Sequence, residues 1–109
     1  MEILDRETTE FVFWGVDGDI PQGDVQLSLK TADQRPEGLD WVSALKVQSG
    51  HALWESANLA EPDHNWYVAK LIGPWNNDYD PGVGEYQVWV RFEDAPERPV
   101  RRPGGLEII

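Results

Sequence analysis

A chain of 109 residues is the length of one domain, since domains commonly run about 100–150 residues. Nine Lys and Arg against 20 Asp and Glu leave a net charge of −11, which argues against nucleic acid or an anionic membrane as the main partner, because both need a basic footprint. Apolar residues make up 40%, with six Trp, three Tyr and three Phe, too rich a mixture for a disordered chain. The absence of cysteine excludes disulfides, thiolate nucleophiles and cysteine metal sites, and leaves the redox compartment open.

The opening, Met1-Glu2-Ile3-Leu4-Asp5-Arg6-Glu7, has neither the basic nor the apolar region of a signal peptide. No apolar run approaches the roughly 20 residues that cross a bilayer. A single domain over residues 1–109, made in the cytoplasm, is expected. Helical periodicity over twelve or more residues is absent. Short runs of period two appear instead, separated by clusters of Gly, Pro, Asn and Asp, the pattern of an all-β sandwich or barrel.

In chain order, the first clear run is Glu10 to Val16, where Trp14 competes with Phe11 and Phe13 for the inner face. A turn at Asp17-Gly18-Asp19-Ile20-Pro21 leads to a cleanly alternating strand, Val25 to Lys30. Arg35 to Trp41 is compatible with a helical turn, and Trp41 is the expected core tryptophan. Ser43 to Gln48 and Ala52 to Glu55 read as weaker strands. The loop Glu61-Pro62-Asp63-His64-Asn65 precedes a strong strand, Trp66 to Ile72, Trp75 lies in the loop Gly73-Pro74-Trp75-Asn76, and Asn76 to Gly82 forms a longer loop. The cleanest strand follows: Tyr86, Val88, Val90 and Phe92 point one way, and Gln87, Trp89 and Arg91 the other. Ala95-Pro96-Glu97-Arg98-Pro99 closes it, because proline has no N–H for a central ladder. The tail from Gly105 to Ile109 is the last weak strand. That makes about seven strands.

Gly84-Glu85-Tyr86-Gln87-Val88 follows a Pro-Gly turn and opens the strongest strand. It resembles the tyrosine corner of immunoglobulin-like sandwiches, in which a Tyr two residues before a core position bonds back to the loop behind it. Val88 then stands where an antibody domain has cysteine. The expected fold is an immunoglobulin-like β-sandwich of about seven antiparallel strands.

Catalytic groupings are sparse. His51 and His64 lie in or beside turns, and no Gly-x-Ser-x-Gly elbow is present. Among 20 acids some pair always looks suggestive, so a carboxylate hydrolase has little to recommend it. Asp17/Asp19 and Asn76-Asn77-Asp78-Asp80 offer oxygen ligands for Ca²⁺ without the spacing of a twelve-residue calcium loop. Neither enzymatic activity nor a cofactor is expected.

Tryptophan and arginine carry the binding signal. Trp89 is expected on the outer face, Trp14 and Trp75 are further candidates for exposure, and exposed aromatics of this kind anchor protein interfaces or stack on sugars. Charge is uneven: residues 1–90 hold 5 basic and 16 acidic side chains, whereas residues 91–102 hold Arg91, Arg98, Arg101 and Arg102 against three acids. Arginine suits interface ion pairs because its planar fork grips carboxylate bidentately. Trp14, Trp89, Arg91, Arg98, Arg101 and Arg102 are therefore the candidate partner contacts, and Tyr86 a structural residue.

The stretch from Pro81 through Tyr86-Gln87-Val88-Trp89-Val90-Arg91-Phe92 to Arg101-Arg102 and Gly104-Gly105-Leu106 resembles the C-terminal part of small proteins encoded among the head and head–tail connector genes of actinobacteria-infecting tailed phages. Thr9 to Trp14 is similar to their opening, more loosely. The resemblance implies a non-enzymatic virion structural protein, either a capsid decoration or a portal- or neck-associated binding domain. Its implied partners are the major capsid, portal or neck proteins, which it would bind in multiple copies on a symmetric assembly, with no role for nucleic acid or membrane. The alternative from the residues alone is a carbohydrate-binding module using Trp75 and Trp89.

Overall fold

The computed structural model describes residues 2–56 and 64–109. Residues 61–63 of the expected loop lie outside the described residues. The described chain is nearly all β: β1 (Glu2–Leu4), β2 (Glu10–Val16), β3 (Val25–Lys30), β4 (Val42–Gln48), β5 (Trp66–Ile72), β6 (Gly84–Phe92) and β7 (Val100–Ile108). The bounds of β2, β3 and β5 coincide with the expected runs. A single 3-10 turn, Gly38–Asp40, occupies the stretch read as compatible with a helical turn.

Two elements depart from expectation. Ala52 to Glu55 is not a strand but part of a short helix, α1 (Ala52–Ser56). Ala, Leu and Glu are among the best helix formers, and His51 Nδ1 accepts the Leu53 N–H at the helix start. The seventh strand is instead β1, whose three residues show no alternation long enough to read. It is recruited by pairing, parallel to Leu106–Ile108 of β7.

The strands form one mixed sheet in the order β1-β7-β6-β3-β4-β5-β2, nearly closed into a barrel. The all-β class and seven strands are those expected. The β1–β7 pair makes the sheet mixed rather than wholly antiparallel, and continuous pairing through β4 takes the place of two separately hydrogen-bonded sheets. Val42 to Ala44 of β4 pair with β3, and Leu45 to Gln48 pair with β5. At the remaining gap, between β2 and β7, the Trp14 indole N–H donates to the Gly105 carbonyl at 3.3 Å. Gly104 permits this approach: a Cβ there would lie 3.3 Å from Trp14 Cδ1.

Alternation decides what fills the interior. Val12, Trp14 and Val16 of β2 turn inward with Val25, Leu27 and Leu29 of β3, Val68 and Ile72 of β5, and Val88, Val90 and Phe92 of β6. Trp14 thus wins the inner face, leaving Phe11 exposed and Phe13 half-buried. The central tryptophan is Trp66, fully buried and packed edge-on against Phe92 at 5.5 Å between ring centres. Trp41, the expected core residue, lies half-buried on the outer surface instead.

Tyr86 behaves as the corner motif requires. Its hydroxyl lies 2.7 Å from the Pro81 carbonyl and 2.9 Å from that of Gly82, tying the loop before β6 to the strand. Burial pushes the phenol's pKa up, and Asp80 adds to the effect. Tyr86→Phe removes this tie and is expected to cost about 1 kcal/mol, the usual net value of one hydrogen bond. Urea unfolding checks it, with a lower midpoint at an unchanged slope.

Candidate functional site

The face of β4, β3, β6 and β7 opposite the core carries a graded set of polar and aromatic side chains. Register sets their neighbours, because residues directly opposite in an antiparallel pair share a face. Gln26 opposes Arg91, Ser28 opposes Trp89, and Lys30 opposes Gln87. On the other side, Arg91 opposes Val100. The β6–β7 ladder slips by one residue between Val88/Gly104 and Val90/Arg101, so Arg102 and Pro103 together face Trp89. Such a bulge re-aims side chains, and proline is tolerated there because it owes the ladder no N–H.

Trp89 is the centre of this face. It points outward as its alternation predicts, yet it is only 6% exposed. The guanidinium of Arg35 stacks against its ring at 5.0 Å and that of Arg102 at 5.1 Å. Each is a cation–π contact of about 0.5–1 kcal/mol or more. Ser28, opposite Trp89, is buried on the same face. The expectation of an exposed Trp89 is therefore corrected: two arginines from distant parts of the chain lid the ring. Its indole Nε1 is buried without a hydrogen-bond partner.

A second stack lies alongside. Arg91 sits 4.6 Å over the Trp41 ring, and its Nε donates to Gln26 Oε1 at 2.6 Å. Its pKa is lowered, first by burial and then by the charge of Arg98. Arg98 is exposed in the loop joining β6 to β7, and Arg101 is exposed near the start of β7. None of Arg35, Arg91, Arg98, Arg101 and Arg102 forms an ion pair among the described residues, whose pairs are Lys30–Asp40 and His64–Asp17. The structure thus brings Trp89, Arg101 and Arg102 together in one cleft and Arg91 and Arg98 in another. Sequence reasoning missed Arg35 and Trp41, which reach the face from the segment between β3 and β4.

Trp14 is not on that face, although Arg101 and Arg102 also border its cleft. It is buried at the β2–β7 seam. A cleft of 410 Å³ opens along that seam, lined by Trp14, Asp17, His64 and the β7 residues Arg101 to Gly105, among others. His64 Nδ1 stands 3.1 Å from Asp17 Oδ1, but no Ser, Thr, Cys or Lys lines the cleft among the described residues. In the loop after β5, Trp75 is 73% exposed. Asn77 there spends its amide as a donor to the carbonyls of Leu71, Gly73 and Tyr79. Among the described residues no three His, Asp or Glu side chains converge as metal ligands, and no helix is long and apolar enough to cross a membrane.

The segment that supplies Arg35 is held by Asp40. Its carboxylate accepts the Glu37 N–H at 2.8 Å and the Lys30 ammonium at 3.3 Å. The Glu37 N–H first, and then Lys30, hold its pKa below the usual carboxylate range.

No family model, no curated protein and no solved structure matches the chain.

Two predictions follow from this geometry. Trp89→Ala is expected to destabilise the domain by about 3–5 kcal/mol, as for other buried aromatics, whereas Trp75→Ala stays within about 0.5 kcal/mol. Chemical denaturation of both variants checks this. Asp40 has a depressed pKa when folded, so its stabilisation is present above the unfolded pKa and lost as pH falls through the folded one. Asp40→Asn should therefore melt below the parent at pH 7, and the gap should close as pH drops through the carboxylate range.

Proposed function

We propose that this chain is a non-enzymatic structural protein of a tailed-phage virion, a binding domain that docks on capsid, portal or neck proteins through the outer face of β3, β6 and β7. The observation that carries the reading is that Arg35, Arg101 and Arg102 line one cleft beside Trp89, and Arg91 and Arg98 line another, in a protein of net charge −11, none of the five in an ion pair among the described residues. Arginine enriched around tryptophan is the composition of interface hot spots. A face needed only for solubility would more simply carry the charge sign of the rest of the surface.

The resemblance to phage head and connector proteins supports the same reading, since the stretch that carries it supplies Trp89, Arg91, Arg98, Arg101 and Arg102. Symmetric particles take such domains in multiple copies. Binding by a preformed sheet face asks for no cofactor. The carbohydrate-binding alternative loses support from the burial of Trp89, which leaves Trp75 without the second exposed ring that reading requires.

Mass spectrometry of purified particles, with the major capsid protein as internal standard, tests the assignment. Copies in proportion to the portal ring or to the capsid lattice are expected, and absence from particles overturns the virion role. Arg98→Ala with Arg101→Ala should weaken docking about tenfold or more while leaving the melting temperature near the parent value.

A further inference from the structure

We infer that the cleft beside Trp89 receives the carboxylates of an acidic, extended segment of a partner protein. This deepens the docking role proposed above and rests on it. The cleft measures 440 Å³ and lies between the segment after β3 and the first residues of β7, with Arg35, Arg101, Arg102, Gln34, Gln87 and Trp89 in its lining. Three guanidinium groups therefore border one space, and the only acid in the lining is Asp33.

Stacking prepares two of these arginines. A guanidinium held against an aromatic ring loses little further freedom on binding, while its in-plane N–H donors remain available for a carboxylate fork. Arg35 and Arg102 are both held this way by Trp89, and neither has an acidic partner within the described residues. Trp89 itself is more than nine-tenths buried beneath them, so the ring that holds the two guanidinium groups is itself fixed by its packing.

Charge on the rest of the molecule narrows the ligand. A nucleic acid presents a phosphate about every 1.7 Å of duplex, and a domain of net charge −11 repels such a polyanion beyond the arginine patch. A short segment carrying a few Asp or Glu side chains places its charge within the patch alone, where screening at physiological salt acts over about 8 Å. Arginine forks also match carboxylate in plane and spacing.

The test is fluorescence anisotropy with a labelled hexaglutamate peptide, run beside inorganic phosphate as competitor and a labelled single-stranded oligonucleotide. The peptide is expected to bind, and Arg35→Ala and Arg102→Ala each to weaken it about tenfold or more. Arg102→Lys should fail to restore binding, since an ammonium lacks the planar fork. Lys70→Ala, on β5, should leave it unchanged. Melting curves accompany every variant, so a loss counts only where the domain remains folded.

Equal or tighter binding of the oligonucleotide, full displacement by phosphate at millimolar concentration, or peptide binding indifferent to Arg35 and Arg102 overturns the inference. If the peptide fails to bind but Arg98→Ala with Arg101→Ala still lowers occupancy on particles, this inference falls and the docking role stands. If the peptide binds through Arg35 and Arg102 but the protein is absent from particles, the acidic-segment site stands and the virion role falls.

Discussion

Strand β4 changes partner midway along its length, and the rest of the architecture depends on that change. Its first residues extend the β3 ladder and its last residues extend that of β5, so one strand carries hydrogen bonds around the bend between the two halves of the barrel. With that continuity in place, inward side chains from both halves meet over Trp66, Val68 and Leu27, all fully buried. The gap between β2 and β7 is narrowed by a side chain instead of a ladder, through Trp14 and the glycines of β7.

That face shows how one sheet can serve two purposes. The inner residues of β6 are apolar and pack the core, while the outer ones alternate with them as Gln87, Trp89 and Arg91. Trp89 contributes a large buried surface on the outer side and also a flat platform for two guanidinium groups. The arginines in turn shield the ring from water. Stability and binding are therefore coupled at Trp89, where a change removes core-like packing together with arginine placement. Arg98 and Arg101 lie outside the stacks and separate the two effects.

Long-range charge and local charge act differently in this molecule. The domain as a whole is strongly acidic, which favours solubility, while Arg35, Arg101 and Arg102 border one cleft with Asp33 as its acid among the described residues. The charge of Arg98 disfavours the Arg91 cation, and Glu93 opposes that effect. The proposed partner carboxylate would bond to guanidinium groups that form no ion pair among the described residues.

Much of the barrel was legible in order of residues. Period-two alternation marked β2, β3, β5 and β6, turn residues bounded them, and Gly84 to Val88 announced the tyrosine corner, because these signals are local and arise from backbone sterics and side-chain parity. The basic character of residues 91–102 was equally local. The tertiary structure alone decided the remainder. Three-residue β1 exists because β7 offers it an edge, and Ala52 to Ser56 became helical where propensity met no strand to pair with. Trp66, not Trp41, fills the centre, and Trp89 is buried by arginines 54 residues before it and 13 after it in the chain. Pairing partners, ring coverage and the meeting of Arg35 with Arg102 depend on contacts between distant residues, which no local pattern encodes.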